Sequence, residues 1–161
     1  MQAIFRNAMS RLGSPVTLVT TDGPAGRYGL TVSAITSVTD TPPTILVCFN
    51  RANASHEAFL TNKKLGINIL GKGHDDLACA FANNQLTATE RFTCGQWHPG
   101  PLGSPLLDGA LATLDCTIEN THTIGTHDVL FCRVHAITID DGTRHGLTWF
   151  DRAFHHLPTR A

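Results

Sequence analysis

The segment GLTVSAITSVTDTPP (residues 29–43) sets Thr31, Ser33, Thr36, Ser37 and Thr39 in an otherwise largely apolar run that ends in a double proline. Each hydroxyl can donate one hydrogen bond and accept others. A shelf of them beside free backbone N–H groups could hold a phosphate or a polar heterocycle. Read as a single strand, the segment places Thr31, Ser33, Ser37 and Thr39 on one face with Ile35. Leu30, Val32, Ala34 and Val38 fall on the other face, with Thr36. Periodicity by itself favours the plainer account, a half-buried strand whose polar face meets water.

Other chemistries find less support. GINILGKGHDD places Gly71 and Gly73 between a strand pattern and a helix pattern, as a dinucleotide fingerprint would. Its third small position is Asp76, and Asp75 and Asp76 would repel a pyrophosphate, so a strand-to-helix turn is the better reading. His122 and His127 flank Thr-Ile-Gly-Thr and His155 adjoins His156; neither pair has the helical spacing of a zinc protease, which argues against a metal centre. No G-x-S-x-G elbow supports a serine nucleophile. The five cysteines (Cys48, Cys79, Cys94, Cys116 and Cys132) are odd in number and form no C-x-x-C pair, so reduced thiols acting as small hydrophobes are expected.

The elements that must position these residues follow from pattern. FRNAMSRLGSP predicts a short helix with Phe5, Ala8, Met9 and Leu12 on one face, stopped by Gly13 and Pro15. VTLVTTDGPAG predicts a strand entering a turn, and TILVCFN a strand apolar enough for burial on both faces. ASHEAFLTN predicts a helix with Ser55 at its N-cap, KLGINIL a strand, and DDLACAFAN a helix with acids at its positive end. GQWHPGPLGSPLLDG is dense in glycine and proline and predicts a loop. TLDCTIE, DVLFCRVHAITID (running into an Asp-Asp-Gly turn) and HGLTWF predict further strands, with DRAFHHL as a tail. Their even return argues for one antiparallel β domain over residues 1–161 rather than a βαβ fold. The formal net charge of −1 gives no electrostatic case for nucleic acid or an anionic membrane. No apolar run is long enough to cross a bilayer, and the first residues lack the apolar block of a secretory signal, so a cytoplasmic protein is expected.

GLTVSAITSVTDTPPTILVCFNRANAS resembles the signature of the short-chain flavin reductase family. It is most similar to the reductase components of two-component flavin monooxygenases, of which the partner of 4-hydroxyphenylacetate monooxygenase is the type. FRNAMSRLGSPVTLVTT, ERF, GSPLLDGALATLDC, IGTHDVLFCRV and HGLTWFDRAFHHL follow in the family's order, so the resemblance covers essentially the whole chain. It implies a mostly β, antiparallel split β-barrel with a few short helices, working as a homodimer. It implies that Thr31, Ser33, Ala34, Ser37 and Val38 line the flavin and that Cys48, Asn50, Arg51 and Ser55 reach its ribityl chain and phosphate. Phe92 would close over the flavin, and His127 matches the family histidine beside the nicotinamide. Trp149 and Arg152 match a terminal aromatic-x-x-Arg, although the family more often has Tyr at the Trp149 position and core packing accounts for Trp149 nearly as well.

The cofactors so implied are FMN or FAD with NADH or NADPH. The absence of a basic cluster for a 2′-phosphate tilts the choice to NADH. The implied activity is hydride transfer from NAD(P)H to flavin, with reduced flavin passing to a separate monooxygenase; it needs no acid–base dyad. Two other readings share a related barrel. A non-catalytic flavin or haem carrier would keep the hydroxyl shelf without needing His127. An oxidase of the pyridoxamine-phosphate type would require an Arg- and Lys-rich phosphate clamp that residues 29–43 lack.

Overall fold

Every residue of TLVTT is buried, which a strand achieves only when both of its faces are covered. In this computed structural model, which describes residues 1–140 and 145–159, that strand is β2 (Thr17–Thr21). It lies between β3 (Tyr28–Val32) and β6 (Lys64–Ile69) in a seven-stranded antiparallel sheet. The sheet continues through β9 (Ala112–Ile124), β10 (His127–Ile139) and β5 (Pro43–Asn50) to β4 (Ile35–Asp40).

β3 and β4 are the two edges of this sheet, yet only Ser33 and Ala34 separate them in the chain. The step from Val32 to Ile35 reaches about 10 Å at most. A flat sheet of this width would hold its edges about 29 Å apart. The sheet therefore curls until its edges meet, and since no ladder joins β3 to β4 among the described residues, the barrel is split there. The single strand expected across residues 29–39 is corrected accordingly: it breaks at Ser33–Ala34, and a bulge between Ser37 and Thr39 shifts the remaining alternation.

The barrel interior is filled by side chains such as Val19, Val47, Phe49, Phe59, Leu65 and Leu130. Leu18, one residue along from Val19, joins a second core outside the barrel with Val16, Leu77, Phe81, Leu107 and Leu147. That outer core holds α3 (Asp75–Ala82) over β3. It also seats a three-stranded sheet of β1 (Ser14–Pro15), β11 (Gly146–Phe150) and β12 (Ala153–Leu157).

Several expectations are revised. The first helix, α1, runs from Gln2 to Met9 and buries no residue, and Ser14–Pro15 pairs with β11 instead of merely ending the helix. β5 is only half-buried, with Val47 and Phe49 inward. The glycine- and proline-rich segment contains a short hairpin of β7 (Trp97–Pro99) and β8 (Pro105–Leu107). DRAFHHL is not a tail, because β12 pairs along β11. β9 extends to Ile124. A short helix, α4 (Ala88–Phe92), was not foreseen, although Thr87 and Glu90 form a capping box at its start. α2 (His56–Asn62) and α3 lie where the sequence places them. The Asp-Asp-Gly turn falls largely outside the described residues. Among the described residues, no helix is long and apolar enough to cross a membrane.

Gly29 lies directly beneath Phe81, and an added Cβ would sit 2.6 Å from its Cε1. Phe81 is 1% exposed and wedged against Phe92 and Trp97, with centroids at 5.2 and 5.4 Å, so the ring has nowhere to move. Gly29→Ala is expected to destabilise the fold by about 1–3 kcal/mol through overpacking. A lowered urea midpoint with an unchanged slope is the predicted signature; an unchanged midpoint would contradict this packing.

Candidate functional site

At the split, the end of β3 meets α3 and the β11–β12 hairpin around a cavity of about 280 Å³. Thr31 and Ser33 contribute its polar side, and Trp149 and Phe154 form an aromatic wall with ring centroids 5.0 Å apart. The Thr31 hydroxyl donates to the Ala78 carbonyl at 2.6 Å, which ties α3 to the strand and leaves lone pairs for a further partner. A largely apolar slot with an aromatic wall suits the faces of a flat heterocycle.

A second cavity, about 530 Å³ and more polar, opens beside the other end of β3. Tyr28, Asn50, Asn53, Ser55, Thr87 and Arg91 line it. Tyr28 and Thr31 lie on one strand, about 10 Å apart, so the two cavities are neighbours along β3. The turn after β5 is braced by its own side chains. Asn50 Oδ1 accepts from Ala52 N–H at 3.0 Å, and Asn53 Oδ1 accepts from both Ser55 N–H and the Ser55 hydroxyl, at 3.0 and 2.7 Å. Ser55 thus occupies the N-cap position of α2 without capping it by its side chain.

Arg91 gives the second cavity its charge. Its guanidinium donates to the carbonyls of Gly29 and Asn83, each at 2.8 Å, while its buried Nε–H finds no acceptor. Among the described residues no carboxylate pairs with it, and burial pushes its pKa down from that of a free arginine. An arginine keeps its proton regardless, so the cavity wall carries a positive charge that an anion would compensate.

His127 opens β10 directly across from Asn50, with the Thr126 hydroxyl 2.9 Å from its Nδ1. Beside it, Asp128 is buried and accepts from the Thr123 hydroxyl at 2.7 Å, and it lies 2.7 Å from His56 Nε2. The hydrogen bond from Thr123 is the largest influence holding the Asp128 carboxyl below an ordinary aspartate; burial opposes it, while His56 and Arg51 add to it. The Cys48 thiol is pushed up by partial burial, and burial pushes that of Cys132 up to about 12, so neither supplies a ready thiolate.

The residues singled out from sequence are only partly gathered here. Thr31, Ser33 and Trp149 line the first cavity, and Asn50 and Ser55 the second. Ala34 accepts from Cys48 N–H at 2.9 Å, which carries the rim from the split onto β5. Arg51 and His127 lie at the end of that rim, where Arg51 N–H donates to the Thr126 carbonyl at 3.0 Å. Ser37 and Val38 are exposed further along β4, outside both cavities. Phe92 packs against Phe81 and Trp97 and lines a separate recess with Arg27. Arg152 shapes the β11–β12 turn at φ +63 and donates to Asn7 Oδ1 at 3.3 Å. Tyr28, Thr87 and Arg91 were missed by sequence reasoning; the T-x-x-E box at Thr87–Glu90 was the signal that a helix start places Arg91 here.

Residues 9–158 match the model of the flavin reductase like domain. The chain is 51% identical over 156 residues to the FMN reductase (NADH) RutF of Cronobacter turicensis, covering 97% of this chain and 93% of that protein. Its structure is similar to BorF, the flavin reductase component of a bacterial two-component tryptophan halogenase, with a TM-score of 0.92, 28% identity and 99% and 100% of the two chains covered. It is also similar to the Streptomyces globisporus NADH:FAD oxidoreductase SgcE6 in complex with NAD and FAD fragments, with a TM-score of 0.88, 26% identity and 96% and 91% covered.

The depressed pKa of Asp128 fixes the sign of a stability effect. A carboxyl held below its unfolded pKa stabilises the fold above that value, and the contribution is lost as pH falls through the folded pKa. The stability gap between the wild type and Asp128→Asn is expected to be largest near neutrality and to narrow below about pH 4. Urea midpoints at stepped pH test this, and a gap that widens on acidification would contradict it.

Proposed function

The chain belongs to the flavin reductase family, and we propose that it transfers hydride from NADH to FMN and releases the reduced flavin to a separate flavin-dependent monooxygenase. The observation that carries this reading is the pairing of two unlike cavities along β3. The apolar slot between Thr31, Ser33, Trp149 and Phe154 suits a flavin ring, and the polar cavity beside Arg91 suits a phosphate tail. The redox chemistry belongs to the flavin and nicotinamide themselves. The protein's part is to orient them, which makes an encounter in solution effectively unimolecular.

Ser33 and Ala34 sit at the split, where the sheet edges lack ladder partners among the described residues, and present the polar rim to the ring. The Asn50–Ser55 turn and Arg91 hold the phosphate. One uncompensated guanidinium suits the terminal dianion of FMN and favours it over FAD. His127, exposed across from Asn50, faces the nicotinamide. Both cavities open to the surface, in keeping with a flavin that leaves after reduction. The protein works in the cytoplasm, where NADH is regenerated and its unpaired cysteines stay reduced.

A homodimer completes the proposal. β10 pairs with β5 only as far as Arg133, so among the described residues one edge of residues 134–139 has no strand partner; this stretch carries Ile137 and Ile139, 55% and 75% exposed. An exposed apolar strand edge calls for a cover, and a second copy supplies one. Light scattering is expected to return twice the 17.4 kDa chain mass; a 17.4 kDa species would contradict the dimer.

NADH oxidation with FMN, FAD and riboflavin as acceptors tests the activity, with fastest turnover expected on FMN. Arg91→Gln is expected to raise KM for FMN about tenfold, the worth of a charge-assisted hydrogen bond, and to leave riboflavin within about twofold. Equal losses on both acceptors would assign Arg91 to the fold instead of the phosphate. Flavin binding without any NADH oxidation would make the protein a carrier.

A further inference from the structure

Resting on the assignment of His127 to the nicotinamide, we propose that His56 and Asp128 are a buried positioning pair that sets His127 against the flavin-tail turn and so governs productive NADH binding. The two residues are far apart in sequence and both buried, at 6% and 4% exposure, with His56 Nε2 2.7 Å from Asp128 Oδ2. The ionised carboxylate can only accept, so His56 donates from Nε2. The other carboxylate oxygen accepts from the Thr123 hydroxyl at 2.7 Å and lies 3.9 Å from Arg51 Nε.

Asp128 thereby joins the segments that converge on the rim. His56 is the first residue of α2, immediately after the Asn50–Ser55 turn. Thr123 lies near the end of β9, and Asp128 directly follows His127 at the start of β10. Alternation along a strand does the rest. With Asp128 locked inward, His127 must point outward to the rim. The Gly125–Thr126 turn is pinned on its other side by Arg51 N–H on the Thr126 carbonyl.

Stability alone does not call for this pair. His56 sits among apolar neighbours, 6.2 Å from the Phe49 ring and close to where Phe49 and Phe59 pack at 4.7 Å. Replacing both partners of a buried hydrogen bond by well-packed apolar side chains is often neutral or stabilising. What apolar packing cannot supply is direction: a hydrogen-bonded carboxylate fixes orientation, and a hydrophobic contact does not.

The pair can therefore be removed without leaving a buried charge unpaired. His56→Phe combined with Asp128→Val replaces it by apolar groups of similar volume. The double variant is expected to keep the wild-type melting temperature, to bind FMN within about twofold, and to raise KM for NADH about tenfold. His56→Gln, whose amide nitrogen lies the same number of bonds from Cα as His56 Nε2, is expected to stay within about twofold of wild type, whereas His56→Phe alone shows the NADH defect. A stable double variant with unchanged kcat/KM for NADH would overturn the proposal. So would a His56→Gln variant as impaired as His56→Phe, and that comparison decides the matter if the double variant fails to fold. If the wild-type protein itself does not oxidise NADH, the reductase reading fails and this proposal falls with it; wild-type turnover with indifferent variants sinks the positioning role alone.

Discussion

Ser33 and Ala34 carry the chain from one edge of the seven-stranded sheet to the other, and that short crossing forces the sheet to close on itself. It also determines what closure leaves unfinished. Among the described residues β3 and β4 are each laddered on one side only, so the seam between them offers backbone donors and acceptors that a continuous barrel would have satisfied internally. The candidate site lies along this seam because it is where a polar ligand can complete hydrogen bonding without disturbing the core. The hydroxyls of Thr31 and Ser33 flank it, and the outer elements cover it.

Those covers are held by apolar burial more than by charge. β2 presents Val19 to the barrel and Leu18 to the outer core, so the same strand anchors both layers. Leu18, Phe81 and Leu147 are at most 3% exposed, and each such side chain contributes roughly 1.5–3 kcal/mol. The ion pair Arg11–Asp151, between the turn after α1 and the β11–β12 turn, is 64% and 45% exposed; pairs of that kind contribute about 0–1 kcal/mol. The aromatic wall of Trp149 and Phe154 is therefore placed by the outer core and the β1 pairing, not by its surface ion pairs. That keeps the slot in shape before any ligand arrives.

Much of this was legible in the sequence and some was not, for physical reasons. Alternation in TLDCTIE and DVLFCRVHAITID marked long half-buried strands, and the helices at residues 56–62 and 75–82 announced themselves through caps and first-turn acids. Periodicity failed at the seam, because a break at Ser33–Ala34 and a bulge at Val38 each reset a period of two without any glycine or proline to mark them. β12 was overlooked because AFHHL shows no clean apolar–polar alternation and gains strand geometry only by pairing with β11. Family likeness pointed to His127, Asn50 and Ser55, of which Asn50 and Ser55 line the polar cavity. It did not lead to Arg91, whose significance depends on having no acidic partner among the described residues, or to His56 and Asp128, which meet across 72 positions of sequence. Those pairings belong to tertiary structure; the Thr87–Glu90 box marks only the helix start that carries Arg91.

On the proposed function, one protein surface holds FMN and NADH in line and then lets reduced flavin go. The most direct measurement is to mix NADH with the protein and FMN under anaerobic conditions, follow the flavin absorbance, and pass the mixture through a membrane that retains protein. The flavin is expected to bleach far faster than in protein-free solution, with reduced FMN recovered in the filtrate. Flavin that stays oxidised in the presence of NADH, or reduced flavin retained with the protein, would contradict it.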